Sequence, residues 1–211
     1  VDRARLVSTP PVQDRGTDRR REVAVLIATF SISFLVISLG FGSWKFGLGF
    51  VLLILVHELG HVFEARRQGL HVSLPVFQPF FGAYVLVRND GLAPWRNALI
   101  SLAGPIAGGI GAAAVWALGS ARNSSLLLDL ATLGFLLNAG NLLPVGILDG
   151  GTVFRSISET WRRPRIRYEN GVPVEAYAPE RTRAVQIAVS YLLVGVALIA
   201  CYLASRNSGV L

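Results

Sequence analysis

Three residues inside an apolar stretch are spaced for metal chemistry. His57, Glu58 and His61 form an HELGH sequence directly after the run VLLILV. On an α-helix, two histidines four residues apart are separated by one turn plus about 40°. Both imidazoles can then face one zinc ion, and the glutamate between them stands near enough to act as general base. The pentapeptide alone is moderately specific. Its setting raises that specificity, because ionisable side chains at membrane depth are expensive and usually functional. The competing explanation is a pair of satisfied core histidines beside a buried glutamate. That would leave three such groups in lipid without a metal, which is costly.

A catalytic zinc takes a third protein ligand and keeps one position open. Cys201 is the single cysteine and lies in a late apolar segment, so a disulfide within the chain and a thiolate site are both excluded. The acids in or beside apolar segments are Glu64, Asp129 and Asp149. Glu64 sits beside arginines at a helix end, and Asp129 starts its span on the opposite side of the membrane. Asp149 remains. His57 lies about 14 Å above Arg66 by helix rise, within the half of the bilayer to which Asp149 also returns. Taken alone, Asp149 before Gly150-Gly151 is better read as a solvated turn residue.

These residues need a membrane to hold them. Of 211 residues 52% are hydrophobic and only 16% charged, against about a quarter charged in a typical soluble domain. Residues 23–40, 97–121 and 184–205 carry no charged side chain, and about 18 apolar residues suffice to cross a hydrocarbon core of about 30 Å. Two interrupted apolar segments hold the HELGH and the approach to Asp149. The expected fold is therefore an all-α polytopic membrane protein with about five spans, at 23–42, 46–66, 97–119, 125–145 and 184–205. The expected organisation is a disordered cytoplasmic tail over 1–22, one membrane-embedded domain over 23–205 with its core at 46–155, and a short tail over 206–211.

A net charge of +7 would suggest nucleic acid in a soluble protein. Here segments 1–22, 64–96 and 150–183 hold all the basic residues except Lys45, Arg122 and Arg206. The positive-inside bias places the N-terminus and those segments in the cytoplasm. Their partner is then the anionic surface of the lipid bilayer rather than nucleic acid.

Between the second and third spans lies a stretch too rich in Pro and Gly for a helix. Val72–Phe77 and Ala83–Val87 read as short strands around a Pro79–Gly82 turn region. Exposed strand edges cannot sit in lipid, so this hairpin is expected to re-enter beside the helices and line a polar cavity. A second hairpin is expected at Tyr168–Tyr177, where Asn170-Gly171 signals the turn. Gly104 and Gly108 have small-xxx-small spacing for close helix packing. Asn138 reads either as a cavity residue or as an interhelical hydrogen-bond partner.

HELGH at 57–61, SLAGPIAGG at 101–109 and NLLPVGILDGG at 141–151 occur in the order and spacing of a known family. The chain resembles the site-2 proteases, intramembrane zinc metalloproteases, in a compact form without PDZ or CBS domains. The resemblance covers about 46–155. It implies that His57, His61 and Asp149 bind one Zn2+ per chain and that Glu58 is the catalytic base. Asn141 matches the family's motif asparagine, implying a role in positioning substrate or polarising the scissile carbonyl. The PFFGAYV of 79–85 is similar to the family's re-entrant hairpin, implying substrate contact by Phe81, Gly82, Ala83, Tyr84 and Val85. Val145-Gly146-Ile147 departs from a stretch often richer in proline, which bears on loop geometry and on no ligand.

The expected function is hydrolysis of peptide bonds in or near transmembrane segments, in a multi-pass protein of a bacterial inner membrane. Its partners are a transmembrane protein substrate and lipid, and the family implies a membrane-anchored regulator or signal-peptide remnant as substrate. The rivals are a membrane zinc transporter and a catalytically silent protease-like scaffold. Against the first, no second His-rich helix or loop offers a conduction path. Against the second stands the complete H-E-H-D set.

Overall fold

The computed structural model describes residues 15–78, 82–84, 92–146, 148–162, 165–169, 172–177 and 180–208. In chain order the elements are α1 (Arg15–Gly40), α2 (Trp44–Arg67), β1 (Val76–Gln78), β2 (Gly82–Tyr84), α3 (Pro94–Arg122), α4 (Ser125–Asn141), α5 (Asp149–Arg162), β3 (Arg165–Glu169), β4 (Val172–Tyr177) and α6 (Arg181–Ser208). α1 begins at Arg15, inside the segment expected as a tail.

Helix ends follow from local chemistry. Ser43 caps α2, its hydroxyl accepting from the Phe46 N–H at 3.3 Å. α2 stops at a Schellman turn, in which Leu70 N–H reaches Ala65 O at 3.0 Å and Gly69 N–H reaches Arg66 O at 2.8 Å. Gly69 adopts φ +80 there, a conformation glycine takes without a Cβ clash. α3 opens on Pro94, whose missing N–H is no loss at a first helical position.

Four helical segments among the described residues are long and apolar enough to cross a membrane: Arg19–Gly40, Trp44–Arg67, Pro94–Arg122 and Arg181–Arg206. The fifth expected span is shorter than anticipated. α4 has 17 residues and ends at Asn141, giving about 25 Å of rise. Pro144 lacks an N–H and biases the residue before it away from helical geometry, so the chain leaves the helix early and turns over 142–146.

The helices pack around two cores, and α2 of one lies against α3 of the other. Ala98, Leu102, Ala112, Ala131, Phe135, Val153, Ile187 and Leu198 join α3, α4, α5 and α6 in one core. Val51, Ile54 and Phe77 join α1, α2 and β1 in another. Apolar side chains on the outer faces of α1 and α6, such as Leu39, Leu193 and Val196, are exposed, the pattern of a surface solvated by lipid rather than water.

Both hairpins form, with bounds that differ from those expected. β1 and β2 are antiparallel and only three residues long, with Val76 opposite Tyr84, Phe77 opposite Ala83 and Gln78 opposite Gly82. Of the expected Pro79–Gly82 turn region, Gly82 stands in β2 and 79–81 lie outside the described residues, as do the residues from Val85 to Gly91. β3 pairs with β4 so that Glu169 faces Val172, leaving two residues between them. α5 was not anticipated. Its buried residues Val153, Ser156 and Thr160 recur at helical spacing, yet arginines and the nearby turn signals mask that period in the sequence.

Candidate metal centre

α2 and α3 approach closely because Gly60, inside the HELGH, has no side chain. A Cβ there would lie 2.7 Å from the Ala107 Cβ and would also press on the Ala103 carbonyl. This contact sets His57 and His61 against α3, α4 and the start of α5. His57 and Glu58 are buried at 4% and 5% exposure, so these polar groups depend on partners within the protein.

Each imidazole has a fixed partner at Nδ1. His61 Nδ1 lies 2.8 Å from the Ile100 carbonyl oxygen of α3, and His57 Nδ1 lies 2.8 Å from Asn138 Oδ1 of α4. The Ile100 carbonyl can only accept, so His61 carries its proton on Nδ1 and presents a bare lone pair at Nε2. The two Nε2 atoms are 3.1 Å apart.

Asp149 closes the cluster. Its Oδ2 lies 3.2 Å from His57 Nε2 and its Oδ1 lies 3.4 Å from His61 Nε2. The carboxylate stands in the first turn of α5, where the helix dipole favours a negative charge. Gly150 and Gly151 explain how it reaches this place. A Cβ on Gly150 would collide with the Leu142 carbonyl, and one on Gly151 with the Val145 carbonyl. Only glycine lets the first turn of α5 lie directly on the 142–146 backbone. That backbone is tied in turn by the Tyr191 hydroxyl of α6, which donates to Leu142 O. Arg155 also donates to Gly146 O at 3.0 Å.

One ligand atom from each of His57, His61 and Asp149 can be chosen so that all lie within 4.8 Å of one another. Acceptors face acceptors in this cluster, which is unfavourable unless a cation sits among them. Two imidazole nitrogens and a carboxylate oxygen are a zinc donor set that leaves room for a further ligand. The residues therefore fit the metal. The Glu58 carboxylate interacts electrostatically with His61, His57 and Asp149.

Asn141 is the last residue of α4. Among the described residues the Nδ1 partners of the two rings are Asn138 Oδ1 and Ile100 O, and neither comes from Asn141. Of the five expected substrate contacts, Gly82, Ala83 and Tyr84 form β2, while Phe81 and Val85 lie outside the described residues.

The model of peptidase family M50 matches residues 45–124 and 119–177. The chain belongs to peptidase family M50. This is the site-2 protease family, so the resemblance carried by the three motifs holds. The M50 chain is 32% identical over 133 residues to "Putative zinc metalloprotease Rip3" of Mycobacterium tuberculosis, covering 57% of this chain and 33% of that protein. It is 29% identical over 124 residues to "Putative zinc metalloprotease sll0528" of Synechocystis, covering 54% and 32%. The match thus spans about a third of the length of these curated relatives. No solved structure matches this M50 chain.

The sequence allows Asn138 as a cavity residue or an interhelical hydrogen-bond partner without tying it to a ring, and it gives no sign of Ile100. A backbone carbonyl leaves no trace in a sequence. The spacing of Gly104 and Gly108 predicts helix packing, and both also lie against site residues: a Cβ on Gly104 would enter the His61 ring, and one on Gly108 would enter the Asn138 amide.

Proposed function

We propose that this chain is a zinc-dependent intramembrane endopeptidase that hydrolyses a peptide bond in or near a transmembrane segment of a membrane-anchored substrate. The observation that carries the reading is the convergence of His57, His61 and Asp149 within 4.8 Å, with buried Glu58 beside them, on an apolar helix. His57, His61 and Asp149 would hold the metal. When bound, zinc supplies Lewis acidity that activates water near neutral pH and polarises a carbonyl oxygen. Glu58 takes the proton of the attacking water and returns it to the leaving amine. Asn141 would meet the substrate rather than the rings, stabilising the developing oxyanion by hydrogen bonding.

A substrate helix hides its carbonyls in its own hydrogen bonds, so it has to unwind before cleavage. β2 offers an edge for the unwound segment. The Phe77 N–H donates to Thr29 Oγ1 of α1 at 3.2 Å, so it points away from β2. Its partner Ala83 then belongs to a pair without mutual hydrogen bonds, and its own N–H and C=O point away from β1. In this reading the substrate joins β2 by strand addition at Ala83, and the β1–β2 hairpin re-enters the membrane to present it. α4 serves as a short fifth crossing. The N-terminus faces the cytoplasm of a bacterial inner membrane, as the distribution of arginine argues.

The experiment is cleavage of a model single-span substrate in liposomes by the wild-type chain and by Glu58→Gln, with zinc content measured for both. The expected result is about one zinc per chain in each, with cleavage at least 10²-fold lower in the variant. Equal cleavage by both would remove Glu58 from the chemistry. Zinc flux without cleavage, unaffected by the substitution, would replace the protease with a transporter.

A further inference from the structure

Asn138 is fully buried, at 0% exposure, in the middle of the membrane domain. A buried amide there must have its donors and acceptor satisfied, and its partners determine which way it faces. Nδ2 donates to Gly134 O, one turn back on α4, at 2.7 Å. That bond places the NH2 end towards α4 and turns Oδ1 towards His57 Nδ1, 2.8 Å away. An amide oxygen has no proton to give. His57 must therefore donate from Nδ1, and its Nε2 is left as a lone pair aimed at Asp149 and His61.

The surroundings are cut to this one amide orientation. A Cβ on Gly108 would collide with Oδ1 and would stand 2.6 Å from Nδ2 and 2.7 Å from Cγ. The glycine thus clears space on α3 for a side chain carried by α4. Gly134 is tight as well, since a Cβ there would meet the Ala112 Cβ at 3.0 Å. α3 and α4 consequently stay close enough for the amide to span from one helix turn to the ring on α2.

We infer that Asn138 is a positioning residue for the metal centre, holding His57 in the tautomer and ring orientation that ligate zinc through Nε2, with Gly108 as the clearance that lets it do so. The inference rests on the zinc-site reading proposed above. Partners of this kind, behind a ligating histidine, typically change metal affinity by about 10–100-fold when removed. His61 has the equivalent support from Ile100 O, which no side-chain substitution can delete. Asn138 is thus the point at which this support can be tested.

The test is zinc affinity by competition with a chromophoric chelator, on the full chain in detergent or lipid nanodiscs, for wild type, Asn138→Leu, Asn138→Asp and Gly108→Ala. The visible spectrum of the Co2+-loaded chain reads the ligand geometry, and circular dichroism controls for helix content. Asn138→Leu keeps the volume without the acceptor and is expected to weaken zinc about 10–100-fold with an altered Co2+ spectrum. Asn138→Asp keeps an acceptor for His57 Nδ1 but turns a second oxygen instead of a donor to Gly134 O, so it is expected to bind zinc more weakly than wild type and more tightly than Asn138→Leu. Gly108→Ala, which changes neither the ring nor the amide, is expected to fall in the direction of Leu.

Unchanged affinity and spectrum in a folded Asn138→Leu overturns the inference and leaves Asn138 as helix packing. If Leu fails to fold, an Asp variant that loses as much affinity as Gly108→Ala overturns it too, because acceptor chemistry would then not be what matters. Failure of the wild type itself to bind zinc is a different result. It removes the metal centre, and the proposed function with it.

Discussion

Gly104 of α3 lies directly against the imidazole of His61 on α2, so close that a Cβ there would stand 2.9 Å from Cδ2 and nearer still to Nε2 and Cε1. The ring is held from behind by Ile100 O and has no room to retreat. A candidate metal ligand is therefore positioned by the absence of a side chain one helix away.

Gly104→Ala is expected to displace the His61 ring and reduce proteolysis by about 10²-fold, the order that a 1 Å misplacement in a catalytic constellation can produce. Zinc content and cleavage of the liposome substrate are measured together. Full activity in Gly104→Ala would show that α2 and α3 separate freely, contrary to the tight contact at Gly60.

Gly150→Ala is expected to lift the first turn of α5 from the Leu142 carbonyl and draw Asp149 from the histidines. Zinc affinity should fall while helix content stays near wild type. The companion variant Tyr191→Phe removes only the hydroxyl that donates to Leu142 O. It should lower stability by about 1 kcal/mol, the ordinary value of one hydrogen bond, and affect zinc less than Gly150→Ala. Thermal unfolding in detergent and chelator competition distinguish the two effects, and a reversed order would place the anchoring of Asp149 elsewhere.

Thr29→Val removes the hydroxyl that accepts from Phe77 N–H and ties β1 to α1. Losing that bond costs about 1 kcal/mol, so cleavage should fall by about tenfold or less, with zinc affinity untouched. The loss is expected in kcat/KM for a helical substrate and is expected to shrink for a peptide that is already extended. An equal loss for both substrates would count against strand addition at β2.

Much of the centre was legible before any coordinates. The HELGH shows its own period, because two histidines four apart on a helix face one point whatever the surroundings. Asp149 followed by elimination, since few acids occur in apolar segments of this chain. The four long apolar helices were equally plain, as a bilayer selects for length and hydropathy along the chain itself. α5 was not legible: its apolar period is short and is interrupted by Arg155 and Arg162, so the region read as a basic connection. The early end of α4 was also missed, because hydropathy continues through Leu142 and Leu143 while the backbone has already turned ahead of Pro144.

By itself, then, the sequence determined the chemistry: which residue types could hold a metal, which carboxylate could move a proton, and that a membrane surrounds them. Only the tertiary structure decided that Asn138 rather than Asn141 stands behind His57, that the Ile100 carbonyl stands behind His61, and that the glycines of α3 and α5 exist to admit these contacts. The reason is physical. A helix period is written in neighbours along the chain, whereas a hydrogen bond to a carbonyl, or the space left by a missing Cβ, exists only when another helix arrives there. HELGH names the candidate ligands on α2, and α3, α4 and α5 aim them.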